Sequence, residues 1–284
     1  MTMKMKLRHR ALLLFAIFVV CRAQSDFHGD PNDEHGGVPM GIPKTICDDG
    51  KVNINIDWDP NSSEEYTCTE PRKNPPTLGL HFYQDEEKAQ KPMHICLPEK
   101  INYQEDLPTS GAHRPLWAQF GEYVYLPRQR WLHNLEHGAV VFLYHPCADP
   151  DQILIFKTLA RNCLWKHIIT PSKLLPPDMN FALLTWTHKL LLSDPDYSRM
   201  ISFIKTYALK APEGMMFEDG QYKVGLLHPA SIVSDAKDSV ICPTNILMGD
   251  TAEDIKKQSE ERLRKNEISR NQLTRIIQSL MNSP

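Results

Sequence analysis

A short stretch near the middle of the chain holds the residues best suited to chemistry. His133 and His137 stand four positions apart, with Glu136 between them. On a helix, residues four apart lie on the same face, so the two imidazoles can bind one metal ion. Glu136 points about 100° away from His137, and it can act as a third ligand, as an acceptor that orients an imidazole, or as a general base. This spacing therefore predicts a metal site or a polar catalytic cluster.

The residues around this stretch predict the elements that position it. Pro127 suits the first turn of a helix, and Gly138 suits the position just past a helix end. The apolar run 139–144 has the composition of a strand buried on both faces. We therefore predict a helix over 127–137 that leads directly into a strand at the centre of the domain.

Residues 133–137 also fit the pattern H-x-x-E-H of the inverzincin proteases, whose glutamate activates a zinc-bound water. Those enzymes carry the pattern within a long helix, whereas Gly138 and the strand predicted after it end this helix at once. A metal-dependent hydrolase is therefore the alternative hypothesis, with His113 as a further ligand beside the two motif histidines and Glu136 as the catalytic base.

Two similar segments supply further imidazoles. The pattern P-T-x-G-x-H occurs at 76–81 and again at 108–113, so proline and glycine shape the backbone before each histidine. A zinc site needs three or four ligands, and an all-imidazole set suits zinc or copper. The same residues can instead form a hydrogen-bonded polar cluster without a metal. The predicted ligands are His113, His133, His137 and His81, with His145 in reserve.

The first 23 residues have the pattern of a cleavable signal peptide: a basic start, the apolar run 11–20 and small residues at 21 and 23. The apolar run is too short to cross a bilayer, which takes about 20 residues. We therefore expect a protein that is secreted or lies in the lumen of the secretory pathway, with no transmembrane anchor after cleavage. In that compartment the sequon at Asn61 can be glycosylated.

Six cysteines remain once Cys21 leaves with the signal peptide, an even number in an oxidising compartment. We therefore expect three disulfides. Thiolate metal binding is the alternative, but no C-x-x-C spacing occurs. The expected pairs are Cys147–Cys163, which closes a short unit, Cys47–Cys68, and the remaining Cys96–Cys242.

The middle of the chain predicts one α+β domain with a mixed sheet, flanking helices and long Pro-rich loops. Asp149 and Asp194, each followed by proline, are typical helix starts. Alternating or apolar runs predict strands at 52–58, 122–126, 139–144, 167–170, 181–186 and 222–226. The predicted organisation is a signal peptide at 1–23, a flexible polar lead at 24–45, the disulfide-bonded domain at 46–248 and a charged helical tail at 249–284.

Charge and the two ends of the mature chain bear on partners. The net charge of −3 gives no reason to expect a nucleic acid or an anionic surface as partner. His28 and His35 in the polar lead can bind Cu(II) or Zn(II) loosely, or the lead can be a solvated tail. The segment 251–283 predicts a long helix without a clean heptad, either an exposed tail or a helix that docks an unidentified protein partner.

Several of these residues also carry a resemblance. They are L-P-T-S-G-A-H at 107–113, W-A at 117–118 with G-E-Y at 121–123, and 131–144 followed by H-P-C at 145–147. They resemble the animal tumour protein p53-inducible protein 13 family and a related bacterial envelope domain of unknown function that carries P-T-S-G-P-H and H-N-L-E-H-G. The resemblance is dense over about residues 100–165.

This resemblance implies a role in growth restraint and in the stress or DNA-damage response, with no settled biochemical activity and no catalytic residues to carry over. The better-known members look like type I membrane proteins, so it also leaves membrane association open, although this chain has a charged segment at 249–284 instead of a span. We therefore expect a secreted regulatory or binding protein with a histidine-centred site. A metal-dependent hydrolase and an interaction protein with purely structural histidines are the alternatives.

Overall fold

The computed structural model of the 284-residue chain describes residues 30, 32–40, 47–72, 79–83 and 86–243. The predicted signal peptide and the predicted C-terminal helix lie outside these residues. Asn61 lies inside them, at an exposed turn.

A mixed seven-stranded sheet lies at the centre, in the order β1-β6-β5-β3-β4-β2-β7. Strand β4 pairs in parallel with β3 and β2, and the other neighbours are antiparallel. The predicted α+β class with a mixed sheet is confirmed. The strands are β1 Gly79–Tyr83, β2 Gly121–Tyr123, β3 Val140–Tyr144, β4 His167–Pro171, β5 Phe181–Thr185, β6 His188–Leu192 and β7 Leu226–Pro229.

In the described part of the chain, three α-helices flank the sheet: α1 Arg128–Glu136, α2 Pro150–Cys163 and α3 Tyr197–Tyr207. As predicted, the Asp149 carboxylate accepts hydrogen bonds from the first backbone amides of α2. At α3 the capping residue is Asp196 and not the predicted Asp194, because the Asp196 carboxylate is the one that reaches the amide of Arg199. Among the described residues, no helix combines the length and the apolar character needed to cross a membrane.

The two faces of the sheet pack against different layers. Because side chains alternate along a strand, β3 sends Val140 and Phe142 to one face and Val141 and Leu143 to the other. Helices α2 and α3 cover the first face with apolar side chains. Helix α1 and several long loops cover the second face, which carries the histidine-rich stretch.

Two of the predicted strands need correction, and two strands of the sheet were not predicted. The segment 52–58 contains a 3-10 helix, Ile54–Ile56, because Asn53 at φ 60° turns the chain out of an extended path. The strands β1 and β6 were not predicted, since the turn before β6 uses Thr187 at φ 61° and lacks the usual glycine or asparagine signal. The final strand, β7, begins at Leu226 and not at 222.

All six cysteines that were predicted to form disulfides do so, but all three predicted pairings are wrong. Cys147 and Cys163 lie at opposite ends of the 14-residue helix α2, which is about 20 Å long at 1.5 Å per residue. Cys163 instead pairs with a cysteine of the last described segment, whose amide also donates to the Cys163 carbonyl at 2.7 Å. The observed pairs are Cys47–Cys96, Cys68–Cys147 and Cys163–Cys242.

Candidate metal centre

Helix α1 places the central residues of the site. The side chains of its last turn are fully buried, and His137 caps the helix end with its amide bonded to the His133 carbonyl. Gly138 follows at φ 80°, and a Cβ there would lie 2.8 Å from Leu209 Cα. Only glycine allows the chain to turn at once from α1 into β3, as the sequence predicts.

Four side chains converge beside α1. The ligand atoms of His94, His113, His133 and Glu136 all lie within 4.8 Å of one another, and all four residues are buried. His94 and His113 come from two loops joined by an isolated parallel bridge. The site therefore combines one helix with two loops that are distant from it in sequence.

Each of the three imidazoles is oriented by a backbone carbonyl. A carbonyl oxygen only accepts, so each Nδ1 carries a proton and donates it. In a neutral ring the other nitrogen, Nε2, then presents a lone pair, the arrangement found in metal-binding histidines. The pairs are His94 with Val38 O at 2.6 Å, His113 with Gly111 O at 2.9 Å and His133 with Arg114 O at 2.7 Å.

The inward-facing atoms lack hydrogen-bond partners among the described residues. This holds for Nε2 of His94, His113 and His133, and for Oε2 of Glu136. His113 Nε2 lies 3.1 Å from Glu136 Oε2, but the contact does not have the geometry of a hydrogen bond. A cation shared by these atoms would satisfy all four at once. A proton on His113 Nε2 would satisfy only the contact between His113 and Glu136. It would leave Nε2 of His94 and Nε2 of His133 without a partner.

Burial keeps several of these imidazoles neutral. It lowers the pKa of His94 and of His137 to about 3, and it lowers the pKa of His133 well below the usual value. Burial alone would raise the pKa of Glu136, but its contacts with His113 and His35 outweigh that effect and lower this pKa to about 2. At neutral pH His94 and His133 therefore offer unprotonated nitrogens beside the Glu136 carboxylate, the state that metal binding requires.

A second group of side chains lies on the outer side of Glu136. His35 Nε2 is 3.2 Å from Glu136 Oε1 and 3.9 Å from Glu213 Oε1. His137 Nδ1 is 3.6 Å from Glu213 Oε2, and its ring stacks on His133 at 4.8 Å between centroids. Burial and the nearby Glu136 raise the pKa of Glu213, whereas the hydrogen bond to Glu136 raises the pKa of His35.

Two buried ion pairs hold the loops around the site. Arg114 forms a bidentate pair with Asp57 at 2.7 Å and also donates to the carbonyls of residues 95, 96 and 99. Arg130 forms a second bidentate pair, with Asp48, through its two terminal nitrogens, and it also donates to the Leu116 carbonyl. Because a buried guanidinium is costly unless its donors are satisfied, these contacts fix the loops that carry His94 and the histidine next to Arg114.

The structure brings together some of the predicted site residues and separates others. His113, His133 and Glu136 meet in the four-residue cluster, and His137 lies beside them. His81 is not at the site: it lies exposed on edge strand β1 with its ring 5.6 Å from that of His188. His145, the reserve candidate, accepts from the Cys147 amide and belongs to none of the clusters.

Two members of the site were missed or assigned differently from sequence. His94 was not predicted, because no pattern at fixed spacing surrounds it and the chain contains twelve histidines. Its position two residues before Cys96 is the one local signal, since a disulfide fixes the backbone there. His35, predicted to lie in a flexible lead, is instead stacked on His94 at 4.4 Å and lies against Glu136.

Comparison with known proteins gives one match. Residues 94–220 match the model of a family described as a protein of unknown function, DUF3105. This segment is fewer than half of the residues of the chain, and it begins at His94 and includes Glu213. No curated protein and no solved structure matches the chain.

Proposed function

We propose that this protein binds a divalent metal ion of the zinc or copper type between His94, His113, His133 and Glu136. The observation that carries the proposal is the convergence of three buried Nε2 lone pairs on one carboxylate, with no other partner for them among the described residues. An unsatisfied buried polar group costs about 1–3 kcal/mol. Several such groups facing one another are therefore better explained by a shared cation than by chance.

The donor set fits the proposed ions. Three imidazole nitrogens and one carboxylate oxygen form a four-ligand set of the kind that tetrahedral zinc adopts, and imidazole also suits copper. Bonds of about 2.1 Å place tetrahedral ligands about 3.4 Å apart, so the side chains close around the ion by about an ångström. Thiolates do not compete, because the six described cysteines form disulfides.

The burial of the four groups supports a binding or structural role for the ion. A catalytic zinc needs an open coordination position that substrate can reach, whereas His113, His133 and Glu136 are fully buried. An open groove of about 550 Å³ has none of the cluster residues in its lining, which runs from Glu105 to Leu191. The hydrolase alternative is therefore the less favoured one.

The setting and the biological role are also proposals. Three disulfides support an oxidising compartment such as the secretory lumen or the extracellular space, and the exposure of Asn61 supports its glycosylation there. A regulatory role in growth restraint rests on the resemblance of 107–147 to the tumour protein p53-inducible protein 13 family alone. Docking of a protein partner through 249–284 rests on the composition of that segment.

Metal analysis of the secreted protein, purified without an affinity tag, tests the proposal. We expect at least one zinc or copper ion per chain and its loss in His133→Ala. The matched control is His228→Ala, since this half-buried histidine lies on β7 outside the clusters. Wild-type protein that is isolated without metal, and whose melting temperature does not respond to added Zn²⁺ or Cu²⁺, would overturn the proposal.

A further inference from the structure

We propose that the bound ion has a second, outer position, held by His133, His137 and Glu213, through which it exchanges with solvent. This inference rests on the proposed function, because the outer position shares His133 with the four-residue cluster, which is the inner position. The ion passes between the two positions by keeping its bond to His133 while its other ligands are replaced.

Three ligand atoms converge at the outer position. The ligand atoms of His133, His137 and Glu213 lie within 4.8 Å of one another, the same limit that holds for the inner position. His137 Nδ1 is 3.6 Å from Glu213 Oε2. Two ligand atoms bound to one ion by bonds of about 2.1 Å stand about 3–4 Å apart. The separation of the His137 and Glu213 atoms therefore suits a shared ion.

The state of His137 carries the argument. Its side chain is 1% exposed, and neither ring nitrogen has a hydrogen-bond partner among the described residues. Glu213 Oε2 is also buried and has no hydrogen-bond partner there. At 3.6 Å the two residues are too far apart to hydrogen-bond to each other. Because unsatisfied buried polar atoms are costly, a cation bound by His137 Nδ1 and Glu213 Oε2 stabilises both.

The two positions exclude each other, because they share one lone pair. Nδ1 of His133 donates to the Arg114 carbonyl, so only Nε2 of this ring can bind a metal ion. That nitrogen belongs to both ligand sets, and one lone pair binds one ion. We therefore expect one ion per chain in this region, held more tightly at the inner position, which has four ligands against three.

The packing of the rings prepares the transfer. The rings of His133 and His137 are nearly parallel, with 13° between their planes and 4.8 Å between their centroids. The Trp117 ring lies against both, with centroids 5.1 Å from His133 and 4.5 Å from His137. This packing holds the two imidazoles side by side, so an ion bound to His133 is already next to His137.

A buried lysine holds the loop that carries the third outer ligand. The Lys166 ammonium donates to the carbonyls of His137, Gly214 and Met216. The Glu213 amide donates to the carbonyl of the last residue of α1 at 3.1 Å. Backbone contacts therefore fix Glu213 beside His137, independently of what the Glu213 side chain binds.

The outer position is the one nearer to solvent. The side chain of Glu213 is 17% exposed, whereas those of His113 and Glu136 are fully buried. An ion that enters from solvent therefore meets the outer ligands first. In the transfer, the bonds to His137 and Glu213 break as bonds to the other three inner ligands form, and the bond to His133 is kept.

The rate of zinc release tests the outer position. Protein loaded with Zn²⁺ is mixed with an excess of a chromophoric chelator, and zinc transfer is followed by absorbance. We expect Glu213→Gln to keep one zinc per chain and to release it about tenfold more slowly than the wild type. Loss of a negative charge alone would speed release, so slower release is specific to loss of an exchange position. The matched control, Glu218→Gln, removes an exposed carboxylate of the same loop and should release zinc at the wild-type rate.

A variant of the inner position supplies a second test. The double variant His94→Gln/His113→Gln removes two inner ligands and leaves the three outer ligands in place. We expect it to bind one zinc about a hundredfold more weakly than the wild type, and addition of Glu213→Gln should abolish binding. Calorimetric titration with Zn²⁺ measures the stoichiometry and affinity, and circular dichroism checks that each variant is folded.

The outcomes separate the two proposals. Release from Glu213→Gln that is as fast as from the wild type, or faster, would overturn the outer position and leave the inner one standing. A folded double variant that binds no zinc, or zinc retained in the triple variant, would also overturn the outer position. Zinc bound by the double variant as tightly as by the wild type would overturn the inner position, and with it the exchange. A wild type that binds no zinc would overturn both, and the release rate decides alone if the double variant does not fold.

Discussion

The two faces of the sheet are built on opposite principles. Helices α2 and α3 cover one face with side chains such as Phe156, Leu159 and Phe203, and that layer is an apolar core. Helix α1 and the loops cover the other, where Arg130, His133 and further polar side chains are fully buried among the apolar ones. Burial of apolar area on the first face stabilises the fold. This stabilisation offsets the cost of keeping the polar groups of the second face out of water.

On the polar face, some buried polar groups have hydrogen-bond partners and others do not. The guanidinium groups of Arg114 and Arg130 are bound to carboxylates and carbonyls, whereas the inward nitrogens of the histidines are not. Unpartnered atoms occur elsewhere, among them Nε of Arg130, Nε1 of Trp117 and side-chain atoms of Asn180 and Thr185. The N–H groups offer a metal ion no lone pair, and amide and hydroxyl oxygens bind zinc poorly. Among the described residues, every group of three or more metal-ligand side chains includes residues of the histidine cluster or of the adjoining Glu213.

The largest expected effect on stability comes from a substitution in the apolar face that leaves the histidine cluster unchanged. Phe156 is fully buried and packs against Phe142 and Phe181. Truncation to alanine leaves a cavity, so Phe156→Ala should lower the free energy of unfolding by about 3–5 kcal/mol. Because Phe156 lies across the sheet from the histidines, zinc stoichiometry should not change. Urea unfolding and metal counting measure the two quantities, and loss of zinc from the folded variant would show that the faces are coupled.

Removal of metal should act on the other face. A ligand at about a thousand times its dissociation constant stabilises a protein by about 4 kcal/mol, and about 2–4 °C of melting temperature corresponds to each kcal/mol in a domain of this size. A chelator should therefore lower the melting temperature by about 10 °C. Calorimetry measures the shift, and His133→Ala, which lacks a ligand of the proposed ion, should show little change on chelation.

Hydrogen exchange shows which parts of the protein lose stability when the metal is removed. After chelation, protection should decrease in the loops around His94 and His113 and in the last turn of α1, and it should persist in α2 and α3. Equal loss of protection on both faces would contradict the division between a stable apolar face and a metal-dependent polar face.

Acid should destabilise the metal-free protein through the buried histidines. The pKa of His94 and of His137 is about 3 in the folded state because of burial, against about 6.5 in the unfolded chain. Below pH 6.5 the unfolded state binds more protons, so stability is present above that pH and is lost as pH falls towards 3. Each of the two histidines should cost about 2 kcal/mol at pH 5.

Urea unfolding of chelated protein at pH 7 and pH 5 measures this cost, with His94→Gln as the variant that removes one titrating group. Its stability should depend less on pH than that of the wild type. An identical pH dependence of the two proteins would contradict the assignment of the effect to the buried ring.

The sequence predicted the apolar face better than the polar one, for a physical reason. Helix α2 follows from a repeat of apolar side chains and from Asp149 and Pro150 at its start, which are local signals. His133 and Glu136 were found because their spacing is also local. His94 joins the site through a bridge to His113 and through the Cys47–Cys96 bond, contacts between distant segments that no local pattern encodes.

The predicted disulfide pairings were wrong for the same reason. Closeness in sequence favoured Cys147–Cys163, but a helix keeps its two ends apart. The partner of Cys163 is 79 residues away, next to it only in the folded chain. The number of disulfides follows from the six cysteines and from the oxidising compartment that the sequence predicts, whereas their pairing depends on the topology of the sheet.

The smallest expected effect tests whether the two faces are independent. Asp149 caps α2, with its carboxylate accepting from the amides of Asp151 and Gln152. Asp149→Ala should lower the free energy of unfolding by about 1 kcal/mol. Since Asp149 has no contact in common with the histidine cluster, the losses from this substitution and from chelation should add to within about 0.5 kcal/mol. A larger interaction energy in that double cycle would mean that the metal stabilises α2 through the sheet, and the two faces would then form one cooperative unit.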